Sequence, residues 1–134
     1  MKAVLDTRFF ITSLESKDDE FRKWARRTLE TVQRKPNLGI VPSIVIHEFF
    51  KIQLEDYGKD VAETRVNSVL KLNLKVVNLD LPIAIEAAKL RCRYAEITTA
   101  DAIIAATAIV TSSEYVLTDD RHIGQVKETK TRWI

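Results

Sequence analysis

At 134 residues, with 46% apolar and 30% charged side chains, the chain has the make-up of an ordinary globular domain and not of a disordered segment. That length buries roughly two-thirds of the unfolded surface without a staple, and a single cysteine with two histidines excludes an internal disulfide and a standard structural zinc site. A net charge of +2 is too small to argue for a nucleic-acid partner without the distribution of that charge, and no charge-free run is long enough to span a membrane.

Ala3-Val4-Leu5 is a short apolar run ending on Asp6, which predicts a buried strand with a carboxylate at its C-terminal end. The acid arrives too early for the apolar region of a signal peptide, so a cytoplasmic, reducing location is the expectation. Phe9, Phe10 and Ile11 begin a first helix. Asp18, Asp19 and Glu20 open a second, whose apolar positions Phe21, Trp24, Ala25, Thr28, Leu29 and Val32 fall at helical spacing. Acids in its first turn and Arg34 and Lys35 at its end suit the macrodipole, and Pro36-Asn37 stops it.

Leu38 to Val41 reads as a second strand. Ser43 is the expected N-cap of a helix running to Tyr57 and ended by Gly58. Asp60 starts another helix, with Val61, Val66, Val69, Leu70 and Leu72 as its expected apolar side. Lys75 to Leu79 predicts a third strand, and Pro82 the first residue of a helix running to Tyr94. Ile83, Ile85, Ala87, Ala88 and Leu90 supply that helix's apolar positions, and Cys92 reads as a small buried hydrophobe. Thr98-Thr99 opens the most apolar helix, Ala100 to Val110; Tyr115 to Thr118 is a fourth strand, and Lys127 to Ile134 supplies a short edge strand.

Strands alternating with helices predict an α/β fold: a parallel sheet of four to five strands with helices on both faces. Three Gly and three Pro leave room for short connections only. With no repeat or internal boundary, residues 1–134 are expected to form one domain. In such sheets ligands bind beyond the carboxyl ends of the strands, so the residues at those ends carry the functional question.

Carboxylates are there. Asp6 follows the first strand, where it serves equally as a helix cap. Glu48 stands among Ile44, Val45 and Ile52 at helical spacing, and a charged acid in an apolar stripe needs a compensating partner. Asp101 lies three residues after Thr98, the spacing of a capping box, at the mouth of the apolar helix. Asp119 and Asp120 follow the fourth strand; the period of two along an extended chain puts Asp120 on the side of Thr118 and Asp119 on the other. Clustered carboxylates repel, and a hard divalent cation relieves the repulsion. Oxygen donors suit Mg²⁺ or Mn²⁺, not zinc. Such an ion polarises a phosphodiester and acidifies a water, so the residues point to metal-assisted phosphoryl chemistry.

Leu5-Asp6-Thr7 resembles the opening motif of the PIN-domain ribonucleases. So do Val41-Pro42-Ser43-Ile44-Val45-Ile46-His47-Glu48, Thr98-Thr99-Ala100-Asp101 with the helix after it, and Leu117-Thr118-Asp119-Asp120-Arg121-His122. Order, spacing and length are similar to the VapC toxins of VapBC toxin–antitoxin systems. The resemblance implies a three-layer α/β/α domain, a Mg²⁺- or Mn²⁺-dependent endoribonuclease, a homodimer and a VapB-type antitoxin as partner. It implies that Asp6, Glu48, Asp101 and Asp120 are the catalytic, metal-holding acids, supported by Thr118 and Asp119. Arg8 departs from the family's usual Ser or Asn at that place, and Ile123 from its usual Phe.

Arg8, Lys51, Arg121 and His122, with Arg91 or Arg93, are the residues expected to rim the acids and meet RNA phosphate. The basic stretch from Arg22 to Lys35 reads as a solvated helix face, with Trp24 in the core behind it. Two other readings compete. One is a PIN nuclease that processes RNA without a toxin role. The other is a receiver-like, non-catalytic signalling domain around Mg²⁺, for which Asp80 would be the only phosphoacceptor and which leaves Glu48 and Asp101 unexplained.

Overall fold

The computed structural model describes residues 1–133. Its element order is β1 (Lys2–Leu5), α1 (Thr7–Glu15), α2 (Asp19–Val32), β2 (Leu38–Pro42), α3 (Ser43–Tyr57), α4 (Lys59–Leu70), β3 (Lys75–Val77), α5 (Leu81–Arg93), α6 (Thr99–Val110), β4 (Tyr115–Leu117), α7 (Arg121–Gly124) and β5 (Thr131–Arg132). The strands form one parallel sheet in the order β3-β2-β1-β4-β5. It is a three-layer α/β/α arrangement with helices on both faces. From β1 the chain builds outward through β2 and β3, then returns to add β4 and β5 on the other side. The switch of direction lies between β1 and β4, and a crevice at their carboxyl ends follows from that topology.

One core gathers Val4 and Leu5 of β1, Phe9, Phe21 and Ala25 of α1 and α2, Val45 and Phe49 of α3, and Leu117 of β4. A second lies between α5 and α6, around Ile83, Ala87, Leu90, Ala102, Ile103 and Ala105. Helix α6 contributes Ile104 and Ala108 to the first core as well, so Ala102 to Ala108 are all buried. An apolar helix of that kind is stable only with protein on most sides. Trp24 is half-buried, edge-on to Phe9 with ring centroids 5.9 Å apart, as expected of a core residue. Gly39 of β2 sits where a Cβ would lie 2.5 Å from Leu74 Cδ2 and 2.9 Å from Val32 Cγ2, so any larger residue there would have to displace both side chains. Among the described residues no helix is long and apolar enough to cross a membrane.

Several local expectations are corrected. Ser43 is already helical; Pro42 occupies the cap position, and the Ser43 hydroxyl instead accepts from Leu79 N at 3.3 Å, tying α3 to the segment after β3. Pro42 extends β2, and β3 stops at Val77. Leu81, not Pro82, begins α5. Arg34 and Lys35 lie beyond the end of α2. Helix α4 buries Ala62, with Val66 and Val69 half-buried one and two turns on; Val61 and Leu70 flank that stripe and are exposed. On α5 the same geometry buries Ile83, Ala87 and Leu90. Ile85 and Cys92 lie two residues off that stripe and face solvent, so Cys92 is not a core residue. The short α7 was not anticipated. The edge strand is Thr131–Arg132, and Ile134 falls outside the described residues.

Candidate active site

Asp6 leaves β1 at the switch point and caps α1, accepting from Thr7 N at 2.7 Å. Its other oxygen accepts from the Thr118 hydroxyl, just beyond β4, at 2.6 Å. Asp6 is only 4% exposed, and burial pushes its pKa up to about 6. The bonds from Thr118 and Thr7 hold it down, while repulsion from Asp101 and Glu48 adds to the rise.

Glu48 reaches the same region from α3, half-buried, and its Oε1 accepts from the Thr7 hydroxyl at 3.0 Å. Burial is again the main reason its pKa is raised; Asp101 adds repulsion, and the Thr7 bond and His47 oppose it. Asp101 stands in the first turn of α6, where its backbone N–H is capped by Thr98 Oγ1 at 3.2 Å. Its carboxyl is raised by burial and then by Asp120, with Thr98 and His122 acting the other way. Asp120 caps α7 through bonds to His122 N at 2.8 Å and Ile123 N at 3.2 Å, and its own N–H donates to Thr118 Oγ1 at 3.0 Å. The single Thr118 hydroxyl therefore connects Asp6 to the Asp120 backbone.

Four acids, from the end of β1, from α3, from α6 and from the β4–α7 turn, thus form a series of electrostatic neighbours: Asp6, Glu48 and Asp101 act on one another, and Asp120 acts on Asp101. Asp119 lies beyond the end of β4 at Leu117 and pairs with Arg8. That bond lowers its pKa and raises the Arg8 guanidinium's, which Asp6 and Asp120 also attract.

The expected basic rim is only partly assembled. Lys51 is fully exposed and paired with Glu55 one turn along α3 at 2.9 Å, not directed at the acids. Arg93 pairs with Glu128 at 3.2 Å, and Arg91 is exposed beside a cleft between α5 and α6. Arg121 is exposed at the start of α7. His122 is half-buried next to Asp101's field, and its Nδ1 is buried without a hydrogen-bond partner. Sequence reasoning assigned no role to Thr7, whose hydroxyl orients Glu48 across 41 positions of sequence. The signal was its place directly after the acid of β1.

The donors are all carboxylate and hydroxyl oxygens, a set that fits a hard divalent cation and not zinc. As placed, no three acidic, histidine or cysteine side chains among the described residues close on one point as a metal requires. Asp6 and Glu48 face threonine hydroxyls, and Asp120 faces the α7 amides.

The fold is similar to VapBC2 of Rickettsia felis bound to a promoter DNA fragment, with TM-score 0.82 and 18% identity over 100% of both chains. It is also similar to VapBC of Salmonella typhimurium bound to DNA, with TM-score 0.78 and 18% identity over 98% of this chain and 97% of the other. A third likeness is to VapC20 of Mycobacterium tuberculosis, a toxin that cleaves the sarcin-ricin loop, with TM-score 0.75 and 16% identity over 93% and 95% of the two chains. No curated protein matches in sequence. The PIN domain family model matches residues 3–129, a stretch that takes in all four acid-bearing segments from β1 to α7, and the chain belongs to the PIN domain family.

Proposed function

We propose that this protein is a Mg²⁺-dependent endoribonuclease, with Mn²⁺ able to substitute, that hydrolyses RNA phosphodiester bonds as the toxin of a toxin–antitoxin pair. The observation that carries the reading is the grouping of Asp6, Glu48, Asp101 and Asp120 beyond the carboxyl ends of β1 and β4, where burial first and then repulsion from neighbouring acids raise the pKa values of Asp6, Glu48 and Asp101. Acids held together against their own repulsion need a cation, and these four are the residues that would hold it. When bound, that ion neutralises phosphodiester charge and acidifies an attacking water.

The chain's own residues shape the rest. Thr118 and Thr7 fix the carboxylates of Asp6 and Glu48 by donating one hydrogen bond to each. With a pKa near 6, Asp6 is mainly ionised at neutral pH and loses ligand capacity in mild acid. Arg8, Arg121 and His122 border the acids on the α1 and α7 sides and face the polyanion. Asp119 acts through Arg8.

The matched toxin–antitoxin complexes support a VapB-type antitoxin as partner. A homodimer is the proposed assembly, and the exposed apolar side chains Leu79, Leu81 and Ile85, near the start of α5, are ones that a second copy would cover. The receiver-like reading loses its phosphoacceptor, because Asp80 is the cap of α5 and accepts from Ile83 N at 3.1 Å.

The test is cleavage of end-labelled RNA by purified protein. Cleavage with Mg²⁺ or Mn²⁺, abolished by EDTA and by Asp101→Asn, is expected. Activity that survives exhaustive chelation overturns the metal mechanism. A small gene immediately upstream, encoding a DNA-binding N-terminus, is expected for the toxin role.

A further inference from the structure

Arg8 emerges from the first turn of α1, two residues after Asp6, and its side chain is 57% exposed. It meets Asp119, which follows β4, across the same junction that joins Asp6 to Thr118. The contact has a defined geometry: Nε donates to Asp119 Oδ1, and Nη2 donates to Asp119 Oδ2 at 3.0 Å. A guanidinium carries five N–H donors in one rigid plane. Asp119 takes the side edge formed by Nε and Nη2. The end edge, formed by Nη1 and the second Nη2 hydrogen, meets no protein acceptor among the described residues. A carboxylate gripping one edge of a planar group fixes the direction of the other. The free edge offers two parallel N–H bonds, the pattern that matches a phosphate.

Asp119 also answers an electrostatic problem. Asp6 and Asp120 both attract the Arg8 cation. Without Asp119, Asp6 and Asp120 would be the acids left to attract that cation. Held by Asp119, it stays at the mouth with its charge in reach of a strand entering the site.

We propose that Arg8 binds a backbone phosphate of RNA through its free Nη1/Nη2 edge, and that Asp119 is the positioning residue that holds it there. This rests on the RNA-cleaving function proposed above. Substrate and Asp119 occupy different edges, so the phosphate does not displace the carboxylate. Arg8 is a substrate-contacting residue in this scheme, and Asp119 touches neither the metal nor the RNA.

The experiment compares wild type, Arg8→Ala, Arg8→Lys, Asp119→Asn and the Arg8→Ala/Asp119→Asn double variant. Steady-state cleavage of one defined RNA is measured with Mg²⁺, and binding of the same labelled RNA in EDTA is followed by fluorescence anisotropy across a salt series. Arg8→Ala and Asp119→Asn are each expected to raise KM about tenfold, the scale of one charged hydrogen-bonded contact, with kcat within about twofold. Arg8→Ala is expected to lower the slope of log affinity against log salt by about one. Arg8→Lys keeps charge without the fork and falls between wild type and Arg8→Ala. The double variant is expected to match Arg8→Ala, because Asp119 acts only through Arg8.

A lower KM in Asp119→Asn makes Asp119 a competitor of the phosphate and overturns the proposal. So does an Asp119→Asn effect that persists without Arg8, or an Arg8→Ala enzyme with unchanged KM and salt slope. Wild-type protein that cleaves RNA while these variants behave like it overturns this inference alone. Wild-type protein that neither binds nor cleaves RNA removes the functional reading and the inference together.

Discussion

The Thr118 hydroxyl donates its one proton to Asp6 Oδ2 at 2.6 Å, across the seam where β1 and β4 lie side by side. Both residues are buried, and Thr118 Oγ1 also accepts from Asp120 N. Thr118→Val keeps the shape and removes both bonds. It leaves the buried Asp6 Oδ2 without its donor and the Asp120 backbone N–H without its acceptor. A loss of about 1–3 kcal/mol in unfolding free energy is expected, together with reduced cleavage. Thr118→Ser should recover most of both. Urea denaturation and cleavage rates measured side by side decide it, and a Val variant as active as wild type would show that the hydroxyl is dispensable.

The raised pKa of Asp6 sets the pH dependence of the metal-free protein. The folded value is about 6, against an ordinary value of 3.8. Well below pH 3.8 Asp6 is protonated in both states and imposes no penalty. Between these values the unfolded chain releases its proton while the folded protein retains it, so stability falls as pH rises. The full penalty, about 3 kcal/mol, is present above pH 6. Glu48 and Asp101 are shifted in the same direction. In EDTA, Asp6→Asn is therefore expected to melt above wild type at pH 7, with the gap closing toward pH 4. Thermal melts over that range check the sign; a gap that widens in acid refutes it.

Asp101 and Thr98 share the start of α6 but divide its work. The cap bond runs from Asp101's backbone N–H to Thr98, so the Asp101 carboxylate is not the acceptor. Asp101→Asn keeps that bond and removes repulsion felt by Asp6 and Glu48. It is expected to abolish cleavage while leaving the metal-free melting temperature equal or higher. Thr98→Ala should cost about 1 kcal/mol through the lost cap and reduce cleavage less than Asp101→Asn does, since it removes a bond that holds the Asp101 carboxyl down but keeps the carboxylate. A strongly destabilised Asp101→Asn would instead assign the carboxylate a structural role.

Asp120→Asn is a clean test of the fourth acid. Asparagine caps helices as well as aspartate does, so the bonds to His122 N and Ile123 N survive. Cleavage is expected to fall at least about tenfold, roughly 1.4 kcal/mol in barrier height, at saturating Mg²⁺. Asp119→Asn under the same saturating conditions should lose less in kcat. If Asp119→Asn is the more damaging change in kcat, the assignment of the fourth acid to Asp120 is wrong.

The strands and most helices were legible because each carried a local signal: the apolar run before Asp6, the acids that open α2, Gly58 after α3, the Thr98 cap. The positions of Asp6 and of Thr118 beside Asp120 were equally readable, because they depend on where a strand ends. Local signals misled where a neighbour from far along the chain decided the outcome. Ser43 looked like a cap, but Leu79 N claims its hydroxyl. Lys51 looked like part of a basic rim, but its own helix offers Glu55 one turn away. Cys92 looked buried until the packing of α5 on α6 chose the Ile83, Ala87 and Leu90 stripe.

By itself the sequence determined the alternation of elements and the acids at their ends, since capping, periodicity and chain breaks act over a few residues. Only the tertiary structure decided that Thr7 would orient Glu48, that Thr118 would serve both Asp6 and Asp120, and that Arg8 would lie against Asp119. The first of those pairings is made when α1 packs beside α3, and the others when β1 and β4 become neighbours in a sheet whose order differs from the order of the chain. A hydrogen bond falls off within a fraction of an ångström, so its partners are settled by sheet order and helix packing and not by residue type alone.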